Sequence, residues 1–360
     1  MSLTIENGHG TLVLYIAAVL LAGVALAARA DDPPAPIVVH GWVDGYYAWN
    51  SDHPEPKVNF FSGTGTTAHH ADQLALNVAA LDISRDAKPF GFHLTLVGGD
   101  SADVVHAGEP HPHRHPIRNV FQASISYNAP LGKGLLLEAG VYPSHIGFEG
   151  FFTRDNWNYT RSWLGELSPY YQSGVKASYA WNDHWSGRID VLRGWQLIGD
   201  NNSAPSLGTQ IAYSDARLSA SFNTFAGPEL PNDRTHLRLL GDIVATYKAT
   251  SKWSLGTSID RGRQAYPGDV AANWLGAAAY GRYAIDDRHA LAARFERFRD
   301  PDAGISGFAQ TLTEATLTYE VHPHPHLILK FEGRRGHSTV PVFNRSQNQT
   351  LAIVSGVINY

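Results

Sequence analysis

Between residues 143 and 172, charges of both signs are interleaved with aromatic rings. Glu149, Arg154, Asp155, Arg161 and Glu166 stand among Phe148, Phe151, Phe152, Trp157, Tyr159, Trp163, Tyr170 and Tyr171. Opposed charges held across a narrow, wet passage set a transverse field and a size limit on whatever passes. Rings in this number need burial. The segment is therefore expected to fold inward against a wall, leaving its charges facing a lumen. Lys176, Arg188, Asp190, Arg238, Asp242, Arg294, Glu296 and Arg334 are the expected contributions of the wall. Plainer roles compete: an ordinary hydrated charge for each wall residue, and a salt bridge pinning the loop for each loop residue.

Eighteen histidines form a second group of candidates, clustered at His69-His70, at His106, His111, His113 and His115, and at His322, His324 and His326. Imidazole ligates zinc, copper or nickel. Yet no carboxylate or thiol stands at ligand spacing, and Pro or Arg interrupts the tracts. No metal site is expected; His111, His113 and His115 come nearest to one. Solvated loop histidines that charge in acid are the simpler reading. Nucleophile elbows, phosphate-binding glycine loops and zinc-protease motifs are all missing, so neither catalysis nor a cofactor is expected. A net charge of −5 argues against nucleic acid, which calls for a strongly basic face.

These charges must be positioned by strands. About sixteen segments with period-two alternation can be laid end to end, from 37–50 to 347–360. Tyrosines recur at the ends of such segments, at Tyr127, Tyr179, Tyr213, Tyr247, Tyr283, Tyr319 and Tyr360, the last five intervals being 34, 34, 36, 36 and 41 residues. Each shares parity with the apolar face of its segment, as in Leu207, Thr209, Ile211, Tyr213. An outward aromatic at the same end of every second strand is the girdle of a transmembrane barrel. Tight turns such as Asp86-Ala87-Lys88-Pro89, Asn182-Asp183-His184 and Ile285-Asp286-Asp287 alternate with longer polar loops at 51–70, 100–117, 143–172 and 227–236. Short periplasmic turns and long extracellular loops have that arrangement, and an even strand count puts both chain ends on the periplasmic side. Residues 37–360 are accordingly read as an all-β, antiparallel transmembrane barrel in the bacterial outer membrane, with 143–172 as its third long loop.

An apolar run, Leu12 to Leu26, ends in Ala28-Arg29-Ala30, which reads as a signal peptide over 1–30, followed by a short segment, 31–36. The chain holds no cysteine, which suits passage through an oxidising compartment. The apolar alternation Ala352, Val354, Gly356, Ile358, Tyr360 looks like the signal that barrel-assembly machinery reads. Outer-membrane lipid, lipopolysaccharide and two further copies of the chain in a homotrimer complete the expected partners. A non-conducting barrel that binds metal or surface ligands through its histidine-bearing loops is the alternative; a soluble secreted β-protein is a third reading.

Several runs carry a family likeness: Gly132-Lys133-Gly134-Leu135-Leu136-Leu137-Glu138-Ala139-Gly140, Ile146-Gly147-Phe148-Glu149, Asp155-Asn156-Trp157-Asn158-Tyr159-Thr160-Arg161-Ser162, and Pro169 to Tyr179. They resemble the putative β-barrel porin-2 (OmpL-like) family, clearly over about a third of the chain beyond residue 30, and weakly through Asp200-Asn201-Asn202 to Tyr213. Gln172 stands where that family often has His, and Trp163-Leu164 replaces Leu-Phe. The resemblance implies a porin-like barrel that passively admits small hydrophilic solutes or ions, with its third loop inside as a constriction. It transfers no solute preference.

Overall fold

The computed structural model describes residues 34–110 and 117–360. The signal-peptide region and His111, His113 and His115 lie outside the described residues. The strands are β1 (Val38–Asn50), β2 (Leu74–Arg85), β3 (Phe90–Gly98), β4 (Val120–Ala129), β5 (Leu135–Pro143), β6 (Tyr171–Ala180), β7 (Trp185–Leu192) and β8 (Ser206–Ser214). They continue as β9 (Leu218–Pro228), β10 (Leu237–Lys248), β11 (Trp253–Tyr266), β12 (Val270–Ala284), β13 (His289–Asp300), β14 (Gln310–His324), β15 (Leu327–Ser338) and β16 (Asn348–Asn359). Each strand pairs antiparallel with its sequence neighbours, and β1 closes on β16 from Trp42↔Asn359 to Asn50↔Leu351. The result is a closed barrel with no free sheet edge, as hydrocarbon demands of every backbone N–H and C=O.

Alternation decides which face meets lipid. Side chains of one parity stand outside, apolar and uncovered: Ile125 is 66% exposed, Phe295 64%, Ile189 58% and Leu317 58%. Their alternates, Asp44, Asp190, Asp242, Arg294, Lys330 and Arg334, are buried inside. Large exposed apolar residues on nearly every strand, around a charged interior, invert the pattern of a soluble sandwich.

Most boundaries fall within a few residues of the alternating segments. The chief difference is at β11 and β12, which run on until only residues 267–269 connect them. Gly268 and Asp269 both have positive φ, +82° and +59°, which closes a tight hairpin where a longer loop was expected. The alternation of short and long connections is therefore broken once. A second local constraint lies at Gly140, where β5 nears loop 143–172. Its φ is +131°, and a Cβ there would sit 2.2 Å from the Ala123 carbonyl oxygen.

Candidate functional site

Loop 143–172 is tied to inward side chains on β1, β10, β11, β13, β14 and β15. At its start the Gly147 N–H donates to Asp242 of β10 (2.8 Å), and at its end the Ser168 hydroxyl donates to Asp260 of β11 (3.0 Å). Between them, a single 3-10 turn, Thr153–Asp155, is held from two sides. Its Thr153 hydroxyl donates to Asp44 of β1 (2.8 Å), while Lys330 of β15 donates to the Thr153 carbonyl (2.8 Å). Glu332 of β15 accepts the Tyr159 N–H (2.5 Å) and the Thr160 N–H (2.9 Å). Asn158 donates to Thr318 of β14 (2.7 Å).

The short helix Trp163–Leu167 shows how local sequence sets this path. Ser162 caps it, accepting the Gly165 N–H at 3.0 Å. Its first two amides, of Trp163 and Leu164, donate to Glu296 of β13 at 2.6 and 2.7 Å. A wall carboxylate thus takes up donors that a helix start leaves without partners. At the other end of the helix, Glu166 reaches the preceding loop, accepting from the Gly65 N–H (2.9 Å), the Thr66 N–H (3.1 Å) and the Thr66 hydroxyl (2.9 Å).

An ion cluster sits behind the helix. Arg294 of β13 is fully buried and bridges Glu149 of the loop (2.6 Å) and Glu314 of β14 (2.5 Å); Arg334 of β15 adds a 3.1 Å contact to Glu314. Glu149 also accepts the Ser162 N–H (2.8 Å), and Arg334 donates to the Arg161 carbonyl (2.7 Å). Arg161 turns back on its own loop, donating to the Gly150 carbonyl at 2.9 Å and to the Phe151 carbonyl. Each buried charge therefore has charged or hydrogen-bonding partners, the condition for keeping it ionised away from water.

The candidate residues thus fall into two groups. Glu149, Arg161, Glu166, Arg294, Glu296 and Arg334 converge on the loop and are buried. Arg154 and Asp155, 3.6 Å apart, face open space, their side chains 26% and 62% exposed; the Arg154 guanidinium lies 3.7 Å over the Trp42 ring. On the wall, Lys176 pairs with Glu138 of β5 (2.8 Å) and Arg188 forms a fork with Asp190 (2.6 Å). Glu138, Lys176 and Asp190 share one ladder row, so signs alternate across β5, β6 and β7. Arg238 is apart from these near the extracellular end, donating to Gln264 (3.0 Å) and lying over Trp195.

Several participants escaped the sequence reading. Glu314 and Asp260 share inward parity with Glu296 and Asp242, so alternation alone could have found them. Phe60 and Phe61 of the first long loop could not be found that way. Both lie inside the barrel against Trp163, Phe61 stacking at 5.3 Å, with Phe343 of the last long loop 5.7 Å from the same indole. Part of the interior is thus an aromatic core, which parity assigns to no strand.

His69 and His70 stay side by side, ring centroids 5.0 Å apart, as do His324 and His326 at 5.4 Å. His70 lies 3.5 Å from Asp100, His106 stacks on Tyr171, and His322 contacts Glu320 at 3.1 Å. Among the described residues no three His, Cys, Asp or Glu are grouped to hold a metal ion. At the extracellular end, Glu229 accepts the Trp195 N–H (2.8 Å) and the Ser206 hydroxyl (3.0 Å). Burial pushes its carboxyl up to about 7, against the opposing pull of Arg238.

A closed sixteen-strand barrel, apolar outside and charged within, whose third long loop is bound to its inner wall, defines an outer-membrane porin. The model of the putative β-barrel porin-2, OmpL-like, family matches residues 36–359, and the chain belongs to that family. No curated protein matches the sequence. Among solved structures, a loop-deletion form of OmpT of Vibrio cholerae is similar at a TM-score of 0.60 and 10% identity, over 91% of this chain and 100% of that one. An anion-selective porin from Comamonas acidovorans gives the same figures. Salmonella typhi OmpF, in complex with daunomycin, is similar at 0.60 and 10% identity, over 91% of this chain and 98% of that one.

Proposed function

We propose that this porin is a passive diffusion channel for small hydrophilic solutes or ions, narrowed by loop 143–172, with a division of labour among its charges. Glu149, Arg161, Glu166, Arg294, Glu296 and Arg334 fix the loop. Arg154 and Asp155 supply the field a solute meets; the Glu138–Lys176 and Arg188–Asp190 pairs are largely buried and brace the wall. The observation that carries this reading is the difference in exposure: the loop-fixing charges are buried, whereas Asp155 is mostly open to water. No residue is assigned a catalytic role.

Three partners follow from the outer surface. The apolar alternation of β16, from Ala352 to Tyr360, is the segment that assembly machinery would read. The girdle and the exposed apolar band sit in outer-membrane lipid and lipopolysaccharide. Copies of the chain pack as a homotrimer through β1–β3 and the end of β16, where Gly41, Val43, Ala79, Leu81, Leu96 and Ile358 line an apolar groove of about 490 Å³. Single-channel recording in planar bilayers tests the division of labour. Neutralising Arg154 and Asp155 together should shift the reversal potential in a salt gradient while leaving the fold intact. An unchanged potential in a folded double variant contradicts it.

A further inference from the structure

The lipid-facing side of the barrel should be free of charge, yet on three strands it is not. Arg261 and Arg263 of β11, Arg297 and Arg299 of β13, and Arg335 and His337 of β15 all have outward parity and are exposed. None of the five arginines is within ion-pair distance of a carboxylate among the described residues. The outward residues of β11 to β15 include no Asp or Glu. Asp302, in the next loop, is engaged by the Asn273 N–H at 3.0 Å.

Register fixes the height of these residues. Trp253, Tyr283, Leu291, Tyr319 and Phe331 lie on one ladder row. Arg261 and Arg299 flank Leu275 on the row eight residues nearer the extracellular end. At roughly 3.3 Å per residue and a tilt of about 40°, eight residues climb roughly 20 Å, close to the far edge of an apolar band about 25 Å tall. Arg297 lies six residues above the Trp253–Phe331 row and Arg335 four. The offset therefore shrinks from β11 to β13 to β15. The tyrosine girdle drifts in the same sense: Tyr247 pairs with Leu255, above the row, and Tyr360 lies six residues below Val354, which is on it. Tilted strands require such a drift for residues at equal depth. The arginines thus form a patch at one height, parallel to the girdle, where the outer leaflet meets water. On the adjacent strand the outward face stays apolar, with Leu237 and Leu239 exposed, so the patch is local and not a continuous belt.

We infer that this patch binds the phosphates of a phosphorylated glycolipid of the outer leaflet. Guanidinium forks grip phosphate oxygens bidentately. Arg261 and Arg299 stand two strands apart, roughly 10 Å, far enough to hold two separate phosphates. Asn273, Thr311, Thr313, Asn348 and Thr350 share the outward face around them and offer hydrogen bonds to sugar hydroxyls. An arginine near the interface costs far less than one at mid-membrane, so a phosphate partner readily offsets its placement.

The test uses the full-length processed porin in detergent micelles, with bis-phosphorylated lipid A, its dephosphorylated form, phosphatidylglycerol and inorganic phosphate as separate probes. Wild type should bind bis-phosphorylated lipid A at least about tenfold more tightly than any of the other three. The quadruple variant R261Q/R263Q/R297Q/R299Q should lose that preference while keeping heat-modifiable gel mobility and wild-type conductance. If the quadruple variant fails to assemble, R297Q/R299Q alone should show a partial loss and the corresponding lysine pair a partial rescue. Equal binding by a folded variant overturns the site. Equal binding of dephosphorylated lipid A or phosphatidylglycerol by wild type overturns it as well, leaving only a greasy or generally anionic-lipid surface. Tight binding of inorganic phosphate would mark an ion site and also overturn it.

Discussion

Arg294 has no water to fall back on, so its worth depends on its two carboxylates. Replacing it with methionine keeps much of the volume but leaves Glu149 and Glu314 buried beside each other without a bridging cation. Removing one partner of a buried ion pair costs about 3–5 kcal/mol. The urea midpoint of R294M refolded in lipid vesicles should fall accordingly, and the partial repair E149Q/R294M should recover some of the loss. A midpoint equal to wild type would show that the cluster does not hold the loop. Glu229 gives a pH signature. Its folded carboxyl titrates at about 7 against an ordinary 4.5, so the folded state holds the proton more tightly. Its surroundings are therefore most stable in acid and lose stability as pH rises between those values. Protection factors in 195–206 and 229–236, with the intrinsic base-catalysed rate divided out, should be lower at pH 8 than at pH 5, and that difference should vanish in E229Q. These charges were legible as inward-facing from parity. Which of them would be locked was not, because that depends on where a thirty-residue loop lies, and alternation does not constrain a loop.

At the scale of elements, loop 143–172 is bound through its backbone as much as its side chains: Glu296, Glu332 and Asp242 all accept main-chain N–H groups. A loop fixed this way is a rigid obstacle and not a mobile flap. Deleting residues 147–166 should raise single-channel conductance; an unchanged conductance in a folded barrel would remove the constriction. The rings of this loop pointed to an inward path, since so many aromatics have no stable place in water. The role of the first long loop was hidden. Phe60 and Phe61 stand in a Gly- and Thr-rich stretch with no period, and only their packing on Trp163 shows that they belong inside. The hairpin at 267–269 was hidden for a related reason. Pro267-Gly268-Asp269 is a turn signal, but it lies within polar sequence that reads equally well as a loop.

For the whole molecule, strand order, closure and facing were the most legible features, because a two-residue period repeated sixteen times must place one parity in lipid once the sheet closes. The tyrosines gave the depth of one interface, and the outward arginines of β11, β13 and β15 mark the other. Both kinds of residue stand on the lipid-facing parity at a fixed height. Solute size and charge preference were not legible, since they depend on how far the loop, the wall pairs and the aromatic cluster leave water-filled space. Planar-bilayer recording of the wild-type protein probes the channel itself most directly. Stepwise, ohmic openings that scale with salt concentration are expected. A correctly folded, heat-modifiable barrel that inserts yet stays electrically silent would contradict it.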